Sequence, residues 1–245
     1  MKTVIHIGQH KTGTTSIQHY LQDNRATLAQ NGLYVPSRIA GYSDPSHFIL
    51  NVYALEEGRF SSKKEELIAT KGTAYFSELE IELKKDIEEI YKEALQQKCN
   101  RVIWSNEGLY LLNTVKEYKR LISLFSEYST EIEVVCCFRD VRSYRESYTN
   151  QLAKQKISPS DNPDSYRYLK TDSWLFDYER KKNLLSEVFD ECTYFTYDPN
   201  DNVKKFFEAI HLSGIDTGNY HLNITASVHN NLLKRIKKRF AFFNR

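Results

Sequence analysis

The stretch VIHIGQHKTGTTSIQHYL, residues 4–21, combines a strand pattern, a polar turn and a helix pattern. Residues 4–7 are almost wholly apolar and predict a buried strand, which ends at Gly8. A polar turn with a second glycine follows, and the spacing of Ile17 and Leu21 then predicts a helix. A strand, a glycine-containing turn and a helix in this order favour a site where backbone N–H groups and a helix N-terminus converge on an anion.

The turn has the two-glycine skeleton of a phosphate-binding loop, but its lysine is displaced. In nucleoside-triphosphate enzymes the lysine directly follows the second glycine. Here Thr14 stands at that place, and Lys11 lies in the middle of the turn. An ordinary strand–helix turn would not be expected to combine the glycines, the lysine and a run of hydroxyl residues. We therefore predict an anion site formed by Gln9, His10, Lys11, Thr12, Gly13, Thr14, Thr15 and Ser16.

Short apolar runs alternate with helical patterns along the whole chain. The predicted strands are residues 3–8, 101–105, 133–138 and 193–197, and the predicted helices are residues 15–30, 77–97, 115–128, 141–154, 175–189, 203–210 and a last one from about 230. This alternation predicts an α/β fold, a three-layer sandwich with a central parallel sheet, formed by one domain over residues 1–245. Two stretches, 36–71 and 157–173, break the pattern and are predicted as insertions near the ligand-binding edge of the sheet.

The composition argues against several classes of protein. Lys and Arg number 34 against 32 Asp and Glu, a net charge of +2, which does not suggest a nucleic-acid-binding protein. The four cysteines show no metal-ligand spacing, and Cys136 and Cys137 are adjacent inside an apolar run, as expected of reduced core thiols. No run approaches the ~20 apolar residues of a membrane span, and no signal peptide is visible. We expect a cytoplasmic protein that requires no metal.

A second strand–helix junction, VVCCFRDVRSYRES, also carries groups suited to an anion. Arg139 follows the strand, Asp140 is placed to cap the next helix, and Ser147 lies eight residues after the arginine. The arginine fork and the hydroxyl group can bind one phosphate from two sides. The alternative is that Arg139 pairs with an acidic neighbour and the serine merely packs. Two such elements at the ends of parallel strands favour a ligand with two separate phosphates.

Together the motifs GQHKTGTTS and RDVRSYRES resemble sulfotransferases that use 3′-phosphoadenosine-5′-phosphosulfate, PAPS. Weaker similarity to the bacterial and glycan-modifying branch lies in the segments YVP, SH, WSNEGL, WLFDYERKK and YFTYDP. Two features depart from the family: Val141 stands where proline is common, and the Arg-Lys-Gly loop of the cytosolic branch has no clear counterpart. The resemblance implies that the first loop binds the 5′-phosphosulfate, and that Arg139 and Ser147 bind the 3′-phosphate.

The resemblance further implies transfer of a sulfonate from PAPS to a hydroxyl or amine of a glycan or small-molecule acceptor, which leaves adenosine 3′,5′-bisphosphate. Lys11 would stabilise charge on the leaving oxygen. As the base that takes the acceptor proton we predict Glu107, with His47 in the first insertion as the alternative. The structural alternative is that Glu107 caps the next helix or pairs with a surface lysine. We predict that His47, Tyr148 and Gln151 contact the acceptor.

Two other functions fit the same motifs. One is a P-loop kinase with a rearranged lysine, in which Asp140 or Glu107 would bind Mg²⁺, and the other is a nucleotide-binding protein without turnover. The C-terminal stretch near residues 230–243 predicts a basic amphipathic helix. This helix either docks on the core with its basic face in solvent, or lies on the inner membrane surface and brings the enzyme to a lipid-linked saccharide.

Overall fold

The structure is a computed structural model that describes residues 1–218 and residue 220. Its strands are β1 (Lys2–Gly8), β2 (Leu33–Tyr34), β3 (Arg101–Ser105), β4 (Glu131–Phe138) and β5 (Glu191–Thr196). All neighbouring pairs are parallel, and the strand order is β2-β3-β1-β4-β5. The predicted α/β fold with a central parallel sheet is therefore confirmed.

Helices connect the strands and cover both faces of the sheet. They are α1 (Thr14–Asp23), α2 (Arg25–Gln30), α3 (Ile49–Ala54), α4 (Ser62–Lys71), α5 (Tyr75–Gln96), α6 (Val115–Ile122), α7 (Val141–Lys154), α8 (Tyr178–Ser186) and α9 (Asn202–Ala209), with a 3₁₀ turn at Glu107–Leu111. The helix predicted over residues 15–30 is divided in two at Asn24, whose backbone (φ −110°, ψ 18°) leaves the helical conformation. The first predicted insertion contains α3 and α4.

Strand β1 is the central strand and is buried from Thr3 to Gly8. Its alternate residues point to opposite faces, as the strand geometry requires. Ile5 packs in one apolar core with residues of α5 and α6, and Val4 packs in a second core with residues of α1 and α9. Burial on both faces explains why this strand is apolar without alternation.

Because the strands are parallel, their carboxyl ends meet at one edge of the sheet. Short backbone hydrogen bonds tie the segments that leave this edge: Gln9 N donates to the carbonyl of Cys137 at 3.3 Å, and Asn106 N donates to that of His6 at 3.0 Å. The loop after β1 thus lies between the segments that follow β3 and β4. This is the edge where ligands bind in open α/β sheets.

At the opposite edge, an ion-pair cluster surrounds Lys2. Its ammonium lies 2.8, 3.0 and 2.7 Å from carboxylate oxygens of Glu131, Glu133 and Glu191. Burial lowers the pKa of Lys2, but hydrogen bonds and charge from the three glutamates outweigh burial and raise it above its usual value. The positive charge at this end of β1 is therefore neutralised by the protein itself.

The predicted basic helix near residues 230–243 lies outside the described residues. Within the part of the chain that the structure describes, no helix is both long enough and apolar enough to cross a lipid bilayer.

Candidate functional site

A cavity of about 470 Å³ opens at the carboxyl edge of the sheet. Its volume falls within the range of roughly 300–1,000 Å³ that is common for small-molecule sites. The walls come from the loop after β1, the 3₁₀ turn after β3, the tip of β4, helix α7 and the segment between β5 and α9. The predicted site residues that line it are His10, Lys11, Gly13, Thr14, Thr15, Ser16, Glu107, Arg139 and Gln151.

Helix α1 begins at this cavity without a protein cap. Gly13 occupies the N-cap position with φ +67°, a left-handed conformation that favours glycine. A Cβ atom there would lie 3.0 Å from Asn202 Nδ2 and 3.1 Å from Tyr197 Cε2, so the loop has no room for a side chain. No side chain accepts a hydrogen bond at the cap, and the first turn carries no acidic residue. The N-terminus is therefore suited to an external anion.

Two cations line the cavity without a carboxylate partner among the described residues. Lys11 is exposed, and only its carbonyl is bonded, to Nη1 of Arg139 at 2.9 Å. Nε of Arg139 donates to Ser143 Oγ at 3.0 Å, and the guanidinium lies 5.2 Å from the centre of the Tyr197 ring. The alternative in which Arg139 pairs with an acidic neighbour is thus not observed.

Glu107 lies in the wall of the same cavity at the start of the 3₁₀ turn. Its Oε2 accepts a hydrogen bond from Nε2 of Gln18 at 2.9 Å, and Gln18 is 4% exposed. The cap of the turn is Asn106, whose side chain accepts from Gly108 N at 2.6 Å. Glu107 is therefore free of the capping role, and a buried amide fixes one oxygen of its carboxylate.

His10 contributes a neutral imidazole to the cavity wall. Its ring packs on that of Tyr148, with 5.2 Å between ring centres, and its buried Nδ1 has no hydrogen-bond partner among the described residues. Burial and the neighbouring charge of Lys11 lower the pKa of His10, while Glu107 acts in the opposite direction. A neutral ring can both donate and accept a hydrogen bond.

Gln9 and Thr12 do not line the cavity, although both belong to the predicted loop site. Gln9 is completely buried and bonds to Arg139, Tyr110 and Tyr178. Thr12 is also buried, and its hydroxyl donates to the carbonyl of Gln9 at 2.6 Å. The structure places both side chains beneath the loop, where they support its shape.

His47 is not brought to the cavity, contrary to the expectation from its place in the first insertion. It is 3% exposed, Nδ1 accepts from the backbone N–H of Ser105 at 3.1 Å, and Nε2 donates to the carbonyl of Pro36 at 3.3 Å. Burial, as the largest cause, lowers the pKa of His47 to about 4. With both ring nitrogens occupied by backbone groups, His47 has no free atom to take a proton.

Tyr148 is likewise a packing residue in this structure. It is 2% exposed, its hydroxyl donates to the carbonyl of Tyr166 at 3.2 Å, and its ring supports His10. Burial raises the pKa of Tyr148 well above its usual value. Of the three residues predicted to contact the acceptor, only Gln151 lines the cavity.

Ser147 lies in the wall of a second, smaller cavity of about 310 Å³ on the same face of α7. Arg139 lines the larger cavity and not this one, so the two members of the predicted phosphate-binding pair face different spaces. The cavities are adjacent, because Lys11 and Gln151 lie in the walls of both.

Tyr197 and Asn202 also line the site, and neither was predicted from the sequence. Tyr197 follows β5, and its backbone N donates to the carbonyl of Phe138 at the tip of β4, at 2.8 Å. Asn202 begins α9, and its Nδ2 donates to the carbonyl of Thr12 at 2.8 Å. The segment YFTYDP was the available signal, but its use requires knowing that β5 lies beside β4.

No family model and no curated protein matches this chain. Among solved structures, a sulfotransferase from Alicyclobacillus acidocaldarius is similar, with a TM-score of 0.52, 12% identity and coverage of 91% of this chain and 86% of that chain. The sulfotransferase domain from the curacin biosynthetic pathway gives a TM-score of 0.47 at 14% identity, with coverage of 89% and 75% respectively. The first similarity shows that the fold is sulfotransferase-like, and at this identity it speaks for the fold alone.

Proposed function

We propose that this protein is a PAPS-dependent sulfotransferase, which moves a sulfonate to a hydroxyl or amine group of a glycan or small-molecule acceptor. The observation that carries the proposal is one cavity in which the N-terminus of α1 and the Glu107 carboxylate meet two cations, Lys11 and Arg139, that have no carboxylate partner among the described residues. The sulfotransferase-like fold supports it. In this proposal residues 1–245 form one domain, and the protein is cytoplasmic.

The donor would lie along the carboxyl edge of the sheet. N–H groups at the start of α1, with the hydroxyl groups of Thr14, Thr15 and Ser16 in the cavity wall, would bind the 5′-phosphosulfate. Arg139 would bind the 3′-phosphate from the larger cavity, and Ser147 would contribute from the adjacent one. The ring of Tyr197 offers a flat surface to the adenine.

Transfer is an in-line displacement at sulfur. The acceptor oxygen or nitrogen forms a bond to sulfur, the bond between sulfur and the bridging oxygen breaks, and adenosine 3′,5′-bisphosphate leaves. Lys11 stabilises the charge that develops on the bridging oxygen, and Glu107 takes the acceptor proton. Because the sulfonate carries one negative charge, the demand for a divalent cation is lower than in phosphoryl transfer.

The proposal is tested by measuring both binding and transfer. We expect calorimetry to show tighter binding of adenosine 3′,5′-bisphosphate than of adenosine 5′-phosphate or Mg·ATP. Labelled PAPS, incubated with glycans, lipid-linked saccharides and small alcohols, should then label at least one acceptor in the presence of excess chelator. Preference for Mg·ATP with loss of transfer on chelation would instead support a kinase. Tight nucleotide binding without transfer to any acceptor would support a non-catalytic protein.

A further inference from the structure

Gln9 lies between the loop after β1 and the tip of β4 and is completely buried. Its Oε1 accepts hydrogen bonds from the backbone N–H of Arg139 at 2.8 Å and from the hydroxyl of Tyr178 at 3.2 Å. Its Nε2 donates to the hydroxyl of Tyr110 at 3.1 Å. One side chain therefore links the first anion-binding element to the second.

The partners of the Gln9 amide determine its orientation. The backbone N–H of Arg139 is a donor and requires Oε1. The hydroxyl of Tyr110 donates to the carbonyl of Leu175 at 3.1 Å, so it presents a lone pair to Nε2. The Tyr178 hydroxyl also lies 2.7 Å from the carbonyl of Arg139, and its one proton is shared between that carbonyl and Gln9. If the amide were flipped, the NH₂ group of Gln9 would face the backbone N–H of Arg139, and two donors would oppose each other.

A buried lysine anchors the far end of this network. Nζ of Lys181 donates to the carbonyls of Tyr110 and Leu112 at 3.0 and 2.5 Å, and the residue is 2% exposed. The rings of Tyr110, Tyr118 and Trp174 surround it, with their centres 4.9, 5.5 and 5.5 Å from Nζ. The Tyr110 hydroxyl, which accepts the hydrogen bond from Gln9 Nε2, therefore belongs to a residue that is fixed in the core.

Arg139 is held by the loop at two points. Its backbone N–H is bonded to the side chain of Gln9, and Nη1 of its guanidinium donates to the carbonyl of Lys11 at 2.9 Å. Gln9 itself does not line either cavity at this edge, so it acts on a ligand only through the groups that it holds. Gln9 therefore ties the backbone of Arg139, from which the guanidinium extends, to the loop that carries the N-terminus of α1.

We propose that Gln9 is a positioning residue that fixes Arg139 relative to the loop, and that it thereby sets the preference for a nucleotide with a second, 3′-phosphate group. The inference rests on the proposed function in one respect, that the ligand carries two phosphates. It deepens that proposal, because it assigns the selectivity to a residue that does not touch the ligand.

The test compares the affinities of adenosine 3′,5′-bisphosphate and adenosine 5′-phosphate by calorimetry for the whole protein and its variants. Gln9→Leu keeps the size of the side chain and removes its hydrogen bonds. We expect it to reduce the preference for the bisphosphate about tenfold, the scale of one charge-assisted hydrogen bond. In an Arg139→Ala background the same change should have almost no effect on the preference, because the group that Gln9 positions is absent.

Tyr118→Phe is the matched control. It removes a buried hydroxyl that donates to the carbonyl of Leu109 at 3.1 Å and bonds neither Gln9 nor Arg139. We expect the preference to be unchanged. If Gln9→Leu does not fold, Tyr178→Phe carries the test, since it removes the shared proton and should lower the preference in the same direction by a smaller factor.

The outcomes separate the two proposals. A wild-type protein without preference for the bisphosphate contradicts the proposed function. A wild-type preference that persists in Gln9→Leu, or that falls equally in Tyr118→Phe, overturns the role of Gln9 and leaves the proposed function standing.

Discussion

Lys2 and Lys11 lie at opposite ends of the same strand and have opposite surroundings. Lys2, at the amino end of β1, is enclosed by Glu131, Glu133 and Glu191 at 2.7–3.0 Å. Lys11, beyond the carboxyl end, lines the cavity and meets no carboxylate within ion-pair distance among the described residues. One lysine is part of the folded framework, and the other is available to a ligand.

The comparison of the two lysines shows how positive charge is distributed along β1. A net charge of +2 over 245 residues does not indicate whether the protein binds an anionic ligand. The local arrangement is more informative, because three carboxylates neutralise one edge of the sheet, while Lys11 and Arg139 at the other edge have no carboxylate partner in the described part of the chain. A cleft lined by one sign of charge focuses the field on its contents. The acid in that cleft, Glu107, is bonded to an amide rather than to either cation.

The largest expected effect separates the two lysines directly. Lys11→Ala should lower turnover about 10³-fold, because it removes a cation from the point where charge develops, and nucleotide affinity should fall much less. Lys2→Met is the matched control and should leave the turnover of the folded protein unchanged. Steady-state assays at saturating PAPS measure both. Equal losses in the two variants would contradict the functional difference between the two ends of β1.

Glu107→Gln should have the next largest effect. It keeps the size of the side chain but removes the carboxylate that accepts the proton, and we expect transfer to fall about 10²-fold with donor binding intact. Single-turnover transfer and calorimetry separate these quantities. Unchanged transfer would show that another group takes the proton, and His10 is the remaining imidazole in the cavity wall.

Arg139→Ala tests the second cation of the cavity. We expect affinity for adenosine 3′,5′-bisphosphate to fall roughly 10- to 100-fold, as for the loss of hydrogen bonds to a charged group, with a smaller loss for adenosine 5′-phosphate. Calorimetry with both nucleotides provides the measurement. If both weaken by the same factor, Arg139 supports the loop through its bond to Lys11 and does not bind the 3′-phosphate.

The last prediction concerns the stability of the fold rather than the cavity, at the other end of β1. Lys2→Met leaves the buried Glu133 without its cation and should lower the free energy of unfolding by about 2–3 kcal/mol at pH 7. The hydrogen bond from Lys2, as the largest cause, lowers the pKa of Glu191 in the folded protein. The stabilisation is therefore present above the ordinary glutamate pKa of about 4.3 and is lost as the pH falls.

Urea unfolding at pH 7 and pH 4 measures this difference. Wild type should lose more stability than Lys2→Met on acidification, because the variant lacks the hydrogen bond from Lys2 that lowers the pKa of Glu191. A difference between the two proteins that stays constant with pH would show that the cluster contributes through packing rather than through charge.

The sequence was sufficient to predict the strands that are buried on both faces of the sheet. The predicted segment 101–105 has the bounds of β3, and the predicted start of β4 lies two residues inside the observed strand. Strand β2 was missed because its two residues, Leu33–Tyr34, are too short for any periodicity. The break between α1 and α2 lies at the non-helical backbone of Asn24, which no apolar pattern encodes.

The part of the candidate site that comes from one short segment of the sequence could be predicted. Lys11 and Gly13 line the cavity as the spacing of the loop predicted. His47 was misplaced because its imidazole pairs with backbone groups 11 and 58 residues away, and nothing beside it in the sequence indicates that pairing. Tyr197 reaches the cavity only because β5 lies next to β4, and strand order is a property of the whole fold.

The central place of β1 has a consequence for synthesis on the ribosome. This strand is translated before both of its neighbours, since β3 begins at residue 101 and β4 at residue 131. Parallel pairing over such separations is slow to form. The nascent chain therefore carries the complete loop motif for some time without a sheet to hold it, and it can bind nucleotide only late in translation. A nascent chain stalled before β4 emerges should show no retention on immobilised adenosine 3′,5′-bisphosphate.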